Sequence, residues 1–389
     1  MNHFLIHLVQ VWTSITVIAM FWGCNTTPKN YPIEVDETMD IEFLRKSAEQ
    51  GNPDAQYKFG ECYYTGDGVG KDESIMLAWY RKAAEQGHAK AQYELGLSYD
   101  RGEGVPQDAA EAVKWYRLAA EQGVALAQNN LGVCYECGQG VPQNAAEAVK
   151  WYRLAAEQQL AVAQRNLGHC YFRGLGVEKD RAEAVKLFRL AAVQGYASAQ
   201  FDLGACYYSG QGVTVDKAEA IQWLRKAANQ DDEKAQFLLG TCYYMGEGTA
   251  QSYKEAFQCF RKSAEQGYLH AQVSLGWCYF RGHGTSEDQR KALDWFRPAA
   301  EQGDADAQFG LGLCYYSISG FSRNYAEAVK WFRRSAEQGH AEAQYNLGIC
   351  YANGTGITKD MVEAVNWFRK AAEQGDPDAN DMLKLLQSQ

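Results

Sequence analysis

The sequence predicts an all-α solenoid, a stack of nine helical hairpins. Three observations carry that prediction. An Ala-Gln pair recurs every 36 residues, at Ala55, Ala91, Ala127, Ala163, Ala199, Ala235, Ala271, Ala307 and Ala343, without a slip. A fixed period in this range marks tandem copies of one supersecondary unit. Inside each copy two amphipathic stretches with helical spacing are separated by a glycine turn. The nine copies occupy residues 55–378 and leave no room within that span for another kind of domain.

The N-terminal element is residues 1–24. Phe4 to Gly23 is mostly apolar and is followed by Cys24 and a polar stretch, residues 25–40, which reads as a linker. Gly23-Cys24 after an apolar run fits a lipoprotein signal with Cys24 acylated. An ordinary cleaved signal, an uncleaved anchor of nearly the ~20 residues that span a bilayer, and an unprocessed tail are the alternatives. The first three place the repeats outside the cytoplasm.

Residues 41–54 match the second half of a unit whose first half is missing, with Phe43 in the slot that Trp usually holds and Ala48-Glu49-Gln50-Gly51 closing it. They read as an N-terminal capping helix. Each full unit then opens with a helix A. Counting from its Ala, Gly stands at position 6 and Tyr at position 9 in all nine units. Position 8 is Cys in eight of them: Cys62, Cys134, Cys170, Cys206, Cys242, Cys278, Cys314 and Cys350. Positions 1, 5 and 8 share one side of a helix, so small residues there allow a neighbour to approach closely. A turn such as Gly138-Gln139-Gly140 ends helix A, because glycine reaches positive φ without steric cost. Helix B starts at an N-cap with Glu three residues on, as in Asp108/Glu111, Asn144/Glu147, Asp180/Glu183, Asp216/Glu219, Ser252/Glu255, Asn324/Glu327 and Asp360/Glu363. That spacing is a capping box. Helix B runs through an aromatic pair and Ala-Ala, as in Trp115, Tyr116, Ala119 and Ala120, and stops at a glycine such as Gly123. Residues 379–389 read as a C-terminal capping helix. A lone hairpin cannot bury its apolar face, whereas a stack buries it continuously.

Departures from the pattern gather late in the chain. Pro298 lies inside a helix B, where the missing amide could cost about 3 kcal/mol. Unit 8 has Ile318 in place of a turn glycine, within Ser317-Ile318-Ser319-Gly320-Phe321, and carries Gly310 beside Leu311. Altered local curvature near units 7 and 8 is the expectation. Leu187 and Cys259 fill the Trp slot, Met76 replaces an Ala, and Gln159 replaces a capping glycine.

The unit Ala127, Gln128, Leu131, Gly132, Tyr135, Gly138, Gly140, Val141, Ala148, Trp151, Tyr152, Ala155, Ala156, Glu157, Gln158 resembles the Sel-1-like repeat family, a relative of the tetratricopeptide repeats. The resemblance covers residues 41–389. It implies a right-handed superhelix of hairpins with helix A on the concave side. It also implies non-catalytic protein–protein scaffolding, often in bacterial envelope or host-contact settings. One member of the family binds secretory immunoglobulin A, so a host ligand follows by analogy only. Some relatives join helix B to the next helix A with a disulfide; the corresponding slots here hold Ala.

Other chemistries find little support. The cysteine ladder places its thiols on successive helices roughly 8–10 Å apart, while a disulfide needs Cα atoms within about 7 Å. These cysteines read as small core residues, and Cys134-x-x-Cys137 as ladder plus coincidence. The seven His are never paired at metal-ligand spacing, and His169 reads as a single polar groove residue. No cofactor or metal is expected. No phosphate loop, G-x-S-x-G or H-E-x-x-H is present. A net charge of −10 lacks the basic footprint of a nucleic-acid binder.

Function should sit where the units differ. Positions 3, 7 and 10 share a face of helix A that the resemblance places in the concave groove. In units 2–4 this face is polar and charged; in units 5–8 it is aromatic. Phe201, Tyr208, Phe237, Tyr244, Trp277, Phe280, Phe309 and Tyr316 are the candidate partner-binding residues, as buried aromatics dominate binding hot spots. The opposing reading packs the position 3 and 10 aromatics between neighbouring helices A. Trp277 is unmatched at its position, and Trp277→Ala is expected to weaken partner binding with little loss of stability. The function expected is an exported scaffold in the cell envelope, monomeric and non-catalytic. It would hold a protein or peptide in the groove, and only its N-terminus would touch a membrane. The alternatives are a penicillin-binding or β-lactamase-type enzyme, as assigned to some cysteine-rich relatives, and an intracellular signalling adaptor. No Ser-x-x-Lys supports the enzyme.

Overall fold

The computed structural model describes residues 41–317 and 324–387. They form twenty α-helices and, among the described residues, no strand. Two compact units divide them at residues 215 and 216. The first contains α1 (Ile41–Glu49), α2 (Pro53–Thr65), α3 (Glu73–Glu85), α4 (Ala89–Arg101), α5 (Ala109–Glu121), α6 (Ala125–Cys137), α7 (Ala145–Glu157), α8 (Ala161–Arg173), α9 (Arg181–Val193) and α10 (Ala197–Ser209). The second contains α11 (Lys217–Ala228), α12 (Glu233–Met245), α13 (Tyr253–Glu265), α14 (Leu269–Arg281), α15 (Gln289–Glu301), α16 (Ala305–Ser317), α17 (Tyr325–Glu337), α18 (Ala341–Asn353), α19 (Met361–Glu373) and α20 (Pro377–Gln387). Within each unit every helix packs on the next. Residues 1–40, and with them the signal and Cys24, lie outside the described residues, as do Ile318 and its turn.

Helix A begins two residues ahead of the Ala-Gln pair, because its cap lies in the preceding turn. Asp232 Oδ1 accepts the Ala235 N–H at 2.8 Å, and His88 Nδ1 accepts that of Ala91 at 3.0 Å. The capping helices shift accordingly: the first stops at Glu49 and the last starts at Pro377. Helix A ends where Gly138, at φ 72°, donates to Cys134 O. All seven predicted N-caps of helix B accept a hydrogen bond from the backbone of the Glu three residues on. At three of these caps the backbone amide turns away from the Glu of the box. Asn144 N–H donates instead to Tyr135 O at 2.8 Å, which leaves the Glu147 carboxylate to pair with Lys150. The same substitution holds at Asp108 and Asp180. Tyr at position 9 thus closes the turn through its carbonyl.

In every hairpin but that of Gly204, where Leu224 holds the slot, the core is an aromatic ring of helix B laid on the position 6 glycine of helix A. A β-carbon on Gly132 would stand 2.6 Å from Tyr152 Cε1, and one on Gly348 2.6 Å from Phe368 Cε1. Both rings are fully buried. Burying such a side chain is worth roughly 1.5–3 kcal/mol, which is why the glycine is kept despite its cost in a helix interior. In every unit but that of Gln272, the Gln of the Ala-Gln pair is a buried bracket. Gln128 Nε2 donates to Ala120 O at 3.1 Å, and its Oε1 accepts from Gln158 Nε2 at 2.8 Å. It ties its own hairpin shut and fastens it to the preceding helix. Arg117 then reaches Tyr135 Oη of the following repeat at 2.7 Å.

The ladder thiols behave as core. Cys134, Cys170, Cys206, Cys242, Cys278, Cys314 and Cys350 are buried and free, and burial pushes the Cys242 thiol up to about 12. Gln159 adopts φ 62° in its glycine's place.

The junction of α15 with α16 departs from the pattern. These helices pack more closely than their counterparts, and α14 also touches α16. Gly310 permits this: a β-carbon there would meet Phe296 Cζ at 2.6 Å. In this repeat the bracket is missing, since Gln272 Oε1 is buried without a hydrogen-bond partner. Pro298 sits in α15 of the same repeat.

Candidate functional site

Four of the candidate aromatics close on the helix B ring of their own hairpin. Phe237 lies 5.7 Å from Phe260 and Phe309 5.9 Å from Phe332; Tyr244 and Tyr316 flank the same two rings at 6.4 and 6.1 Å. Six of the eight candidates, Phe201, Tyr208, Phe237, Tyr244, Trp277 and Phe309, are buried. Phe280 and Tyr316 are half-buried. The rings are packed within the hairpins rather than set out as an open wall, and Phe309 also meets Trp277 of the neighbouring helix A at 6.1 Å.

The structure gathers three of the eight. Trp277, Phe280 and Phe309 line a cavity of about 880 Å³ in the second unit, together with Leu313 and Tyr345. Helices α14, α16, α18 and α20 and the turns before α18 and α20 form its walls. Trp277 meets Phe280 edge-on at 5.7 Å and Phe309 at 6.1 Å, and its back lies on Phe296 at 5.1 Å. That backing corrects the expectation for Trp277→Ala: at 3% exposure the indole is core as well as wall, so its loss must destabilise the fold. Phe237, Tyr244 and Tyr316 do not line this cavity. Phe201 and Tyr208 belong to the first unit.

Polar groups converge on the same cavity. His340 Nε2 lies 2.9 Å from Asp306 Oδ1, and its ring is 4.7 Å from Phe309. His340 Nδ1 is 3.3 Å from both Glu342 Oε2 and the Ala343 N–H that it caps. Asp376 caps Ala379 at 2.8 Å, and Asp378 is exposed. The Arg281 guanidinium lies over the Trp277 ring at 4.9 Å. Glu342, Asp306, Asp376, Asp378, His340 and Asn346 escaped the sequence reading, whereas Tyr345 stands at position 3, one of the groove positions. Several lie in the turn ahead of helix A or at its first turn, outside the three positions read as the groove.

A second polar cluster lies in the first unit. Asp202 Oδ2 binds Arg165 Nε at 2.5 Å and His169 Nε2 at 2.9 Å, all three nearly enclosed. Burial alone would raise the Asp202 pKa, but the Arg165 guanidinium and then His169 hold it well below the usual carboxylate range. Burial lowers the His169 pKa, with Asp202 opposing. His169 is therefore one member of a joint between successive helices A rather than a single polar residue. Asn166 Nδ2 donates to Asn129 Oδ1 at 2.9 Å in the same relation, 37 residues apart. Among the described residues no His, Cys, Asp and Glu cluster has the makings of a metal site.

Comparison with known proteins agrees with this architecture. The Sel1 repeat model matches residues 41–52 and then nine successive stretches from 53–88 to 341–376. The chain is 39% identical to a protective antigen present in uropathogenic Escherichia coli strains, whose crystal structure displays an SLR fold. That match covers 88% of this chain and 81% of the other, with a TM-score of 0.70. It is 33% identical to a Sel1 repeat protein from Oxalobacter formigenes, over 63% of this chain and 96% of that one, with a TM-score of 0.54. A search of curated proteins gave no match. Tandem Sel1 models along almost all the described residues, on hairpins of the same kind as those solved neighbours, make the chain a member of the Sel1 repeat family.

Proposed function

We propose that the protein is a non-catalytic interaction scaffold that grips an extended peptide segment of a protein partner in the second-unit cavity. The supporting observation is that cavity, in which Trp277, Phe280, Phe309 and Tyr345 present ring surface beside several carboxylates. Ligand sites of about 300–1,000 Å³ lined by aromatic side chains with a few placed polar groups are the usual form. Sel1 repeat proteins are scaffolds for protein–protein contacts, and this chain has their fold. Export to the cell envelope is part of the proposal. It rests on residues 1–24; among the described residues no helix is long and apolar enough to cross a membrane. The antigen relative in uropathogenic E. coli is consistent with a role at the cell surface.

Phe280 is the residue to test, because it is half-buried and does not sit under the core as Trp277 does. Partners are captured on the full chain and on Phe280→Ala side by side, with thermal unfolding as the control. A genuine partner should bind the variant about 2 kcal/mol more weakly while the melting curve stays in place. Recovery of the same partners in equal yield on both baits would refute the cavity as the docking site.

A further inference from the structure

The second-unit cavity has a polarity that selects among peptides. Its cationic group is at one edge: Arg281, on α14, is laid across the Trp277 ring. Its carboxylates come from the other elements, Asp306 at the start of α16, Glu342 at the start of α18, and Asp376 and Asp378 around the start of α20. His340 is held between Asp306 and Glu342 and adds no further open donor. Four carboxylates against one guanidinium leave the lining net negative. Three of these carboxylates are substantially enclosed: Asp376 is 8% exposed, Glu342 13% and Asp306 22%. Between the two edges lie the rings of Phe309 and Tyr345.

We propose that the cavity takes a cationic, aromatic-bearing peptide segment, an inference that rests on the groove reading above. An aromatic or aliphatic side chain of the partner packs against Trp277, Phe280 and Phe309. A following Lys or Arg reaches the carboxylates of Glu342 and Asp378. The physical reasons are two. A carboxylate in a partly enclosed site gains more from an added cation than one in open water, since screening there is weaker. A cation passing over Phe309 and Tyr345 is attracted by the ring faces themselves. An acidic segment would meet like charge on three of the four helices, and like-charge juxtaposition is how an interface rejects wrong partners.

The test is fluorescence anisotropy on the full chain with three short labelled peptides of equal aromatic content, one carrying Lys and Arg, one carrying Ser, and one carrying Asp and Glu. The basic peptide should bind at least about tenfold more tightly than the neutral one, with affinity falling as salt rises. Binding of the acidic peptide should not be measurable. Asp378→Asn, at an exposed carboxylate, should weaken the basic peptide severalfold and leave the neutral one unchanged; Phe280→Ala should weaken both. Equal binding of all three peptides with sensitivity to Phe280→Ala would overturn the charge preference and leave the groove standing. Basic-peptide binding that ignores both substitutions would place the contact elsewhere on this acidic chain and overturn the assignment of the site. If no peptide binds, the cationic class fails, and the groove itself is then judged by whether Phe280→Ala loses the partner captured on the full chain.

Discussion

Gly310 of α16 lies so close to Phe296 of α15 that a β-carbon on it would approach the ring's Cζ to 2.6 Å. A β-carbon on Gly276 of α14 would likewise come within 2.7 Å of the same ring, so Phe296 packs against glycines of two successive repeats. Gly310→Ala must push the ring or part the helices. Overpacking of this kind costs about 1–3 kcal/mol, and chemical denaturation should show it as a lowered midpoint. A midpoint unchanged from wild type would mean that the close junction is not held by this contact.

Trp277→Ala should behave as a core deletion. The indole is backed by Phe296 and Phe309, and removing a large aromatic from such a site costs about 3–5 kcal/mol. Differential scanning calorimetry is the measurement. A variant that melts with the wild type would show that the ring is exchanged for solvent more freely than its packing implies.

The glutamine brackets should differ in worth. Gln344 Nε2 donates to Ala336 O at 3.1 Å, and its Oε1 accepts from Gln374 at 2.8 Å. Gln344→Ala should therefore cost about 1–3 kcal/mol, because the buried Ala336 carbonyl loses its partner and the Gln374 amide loses one of its two acceptors. Gln272→Ala should cost clearly less, since its Oε1 already lacks one. Equal losses in paired unfolding curves would contradict the distinction.

Glu94 gives the chain a pH dependence. Burial, then the nearby Glu61, raises its pKa from the ordinary 4.5 to about 7. A raised acid binds its proton more firmly in the folded state, so stability is highest below the unfolded pKa and declines as pH climbs through about 7. Glu94→Gln should remove that decline. The variant should melt a few degrees above wild type at pH 8, on the order expected for ~1–2 kcal/mol, and the two should converge near pH 4. Parallel melting temperatures across the range would exclude the carboxylate as the source.

Much of the fold was legible because one unit is written nine times. The Ala-Gln period, the paired glycines and the N-caps each restate the same hairpin, and noise in one copy is corrected by the others. The site was less legible, for reasons that particular residues make plain. Spacing puts Phe237 and Phe309 on one face of helix A, yet it does not say that the ring of helix B reaches over the position 6 glycine to cover that face. Phe260 and Phe332 do so. Asp202 was invisible as a partner of His169 because the pairing depends on the rotation between successive repeats, which no single unit encodes. His340 and Asp376 belong to turns whose sequence varies from copy to copy, and variable turns carry no internal check. The Glu of the capping box illustrates a further limit: its spacing was right, but the N-cap amide was already claimed by a tyrosine carbonyl.

The glutamine bracket has a consequence for how such a chain can change. Where it forms, as at Gln128, it bonds backward to the helix before it and within its own hairpin, and asks nothing of the hairpin after it. Excising or duplicating a stretch of one period rejoins a bracket to an equivalent acceptor, whereas any other increment strands it. Lineages carrying this architecture should accordingly grow and shrink by whole hairpins, with insertions of odd length confined to the turns between helices.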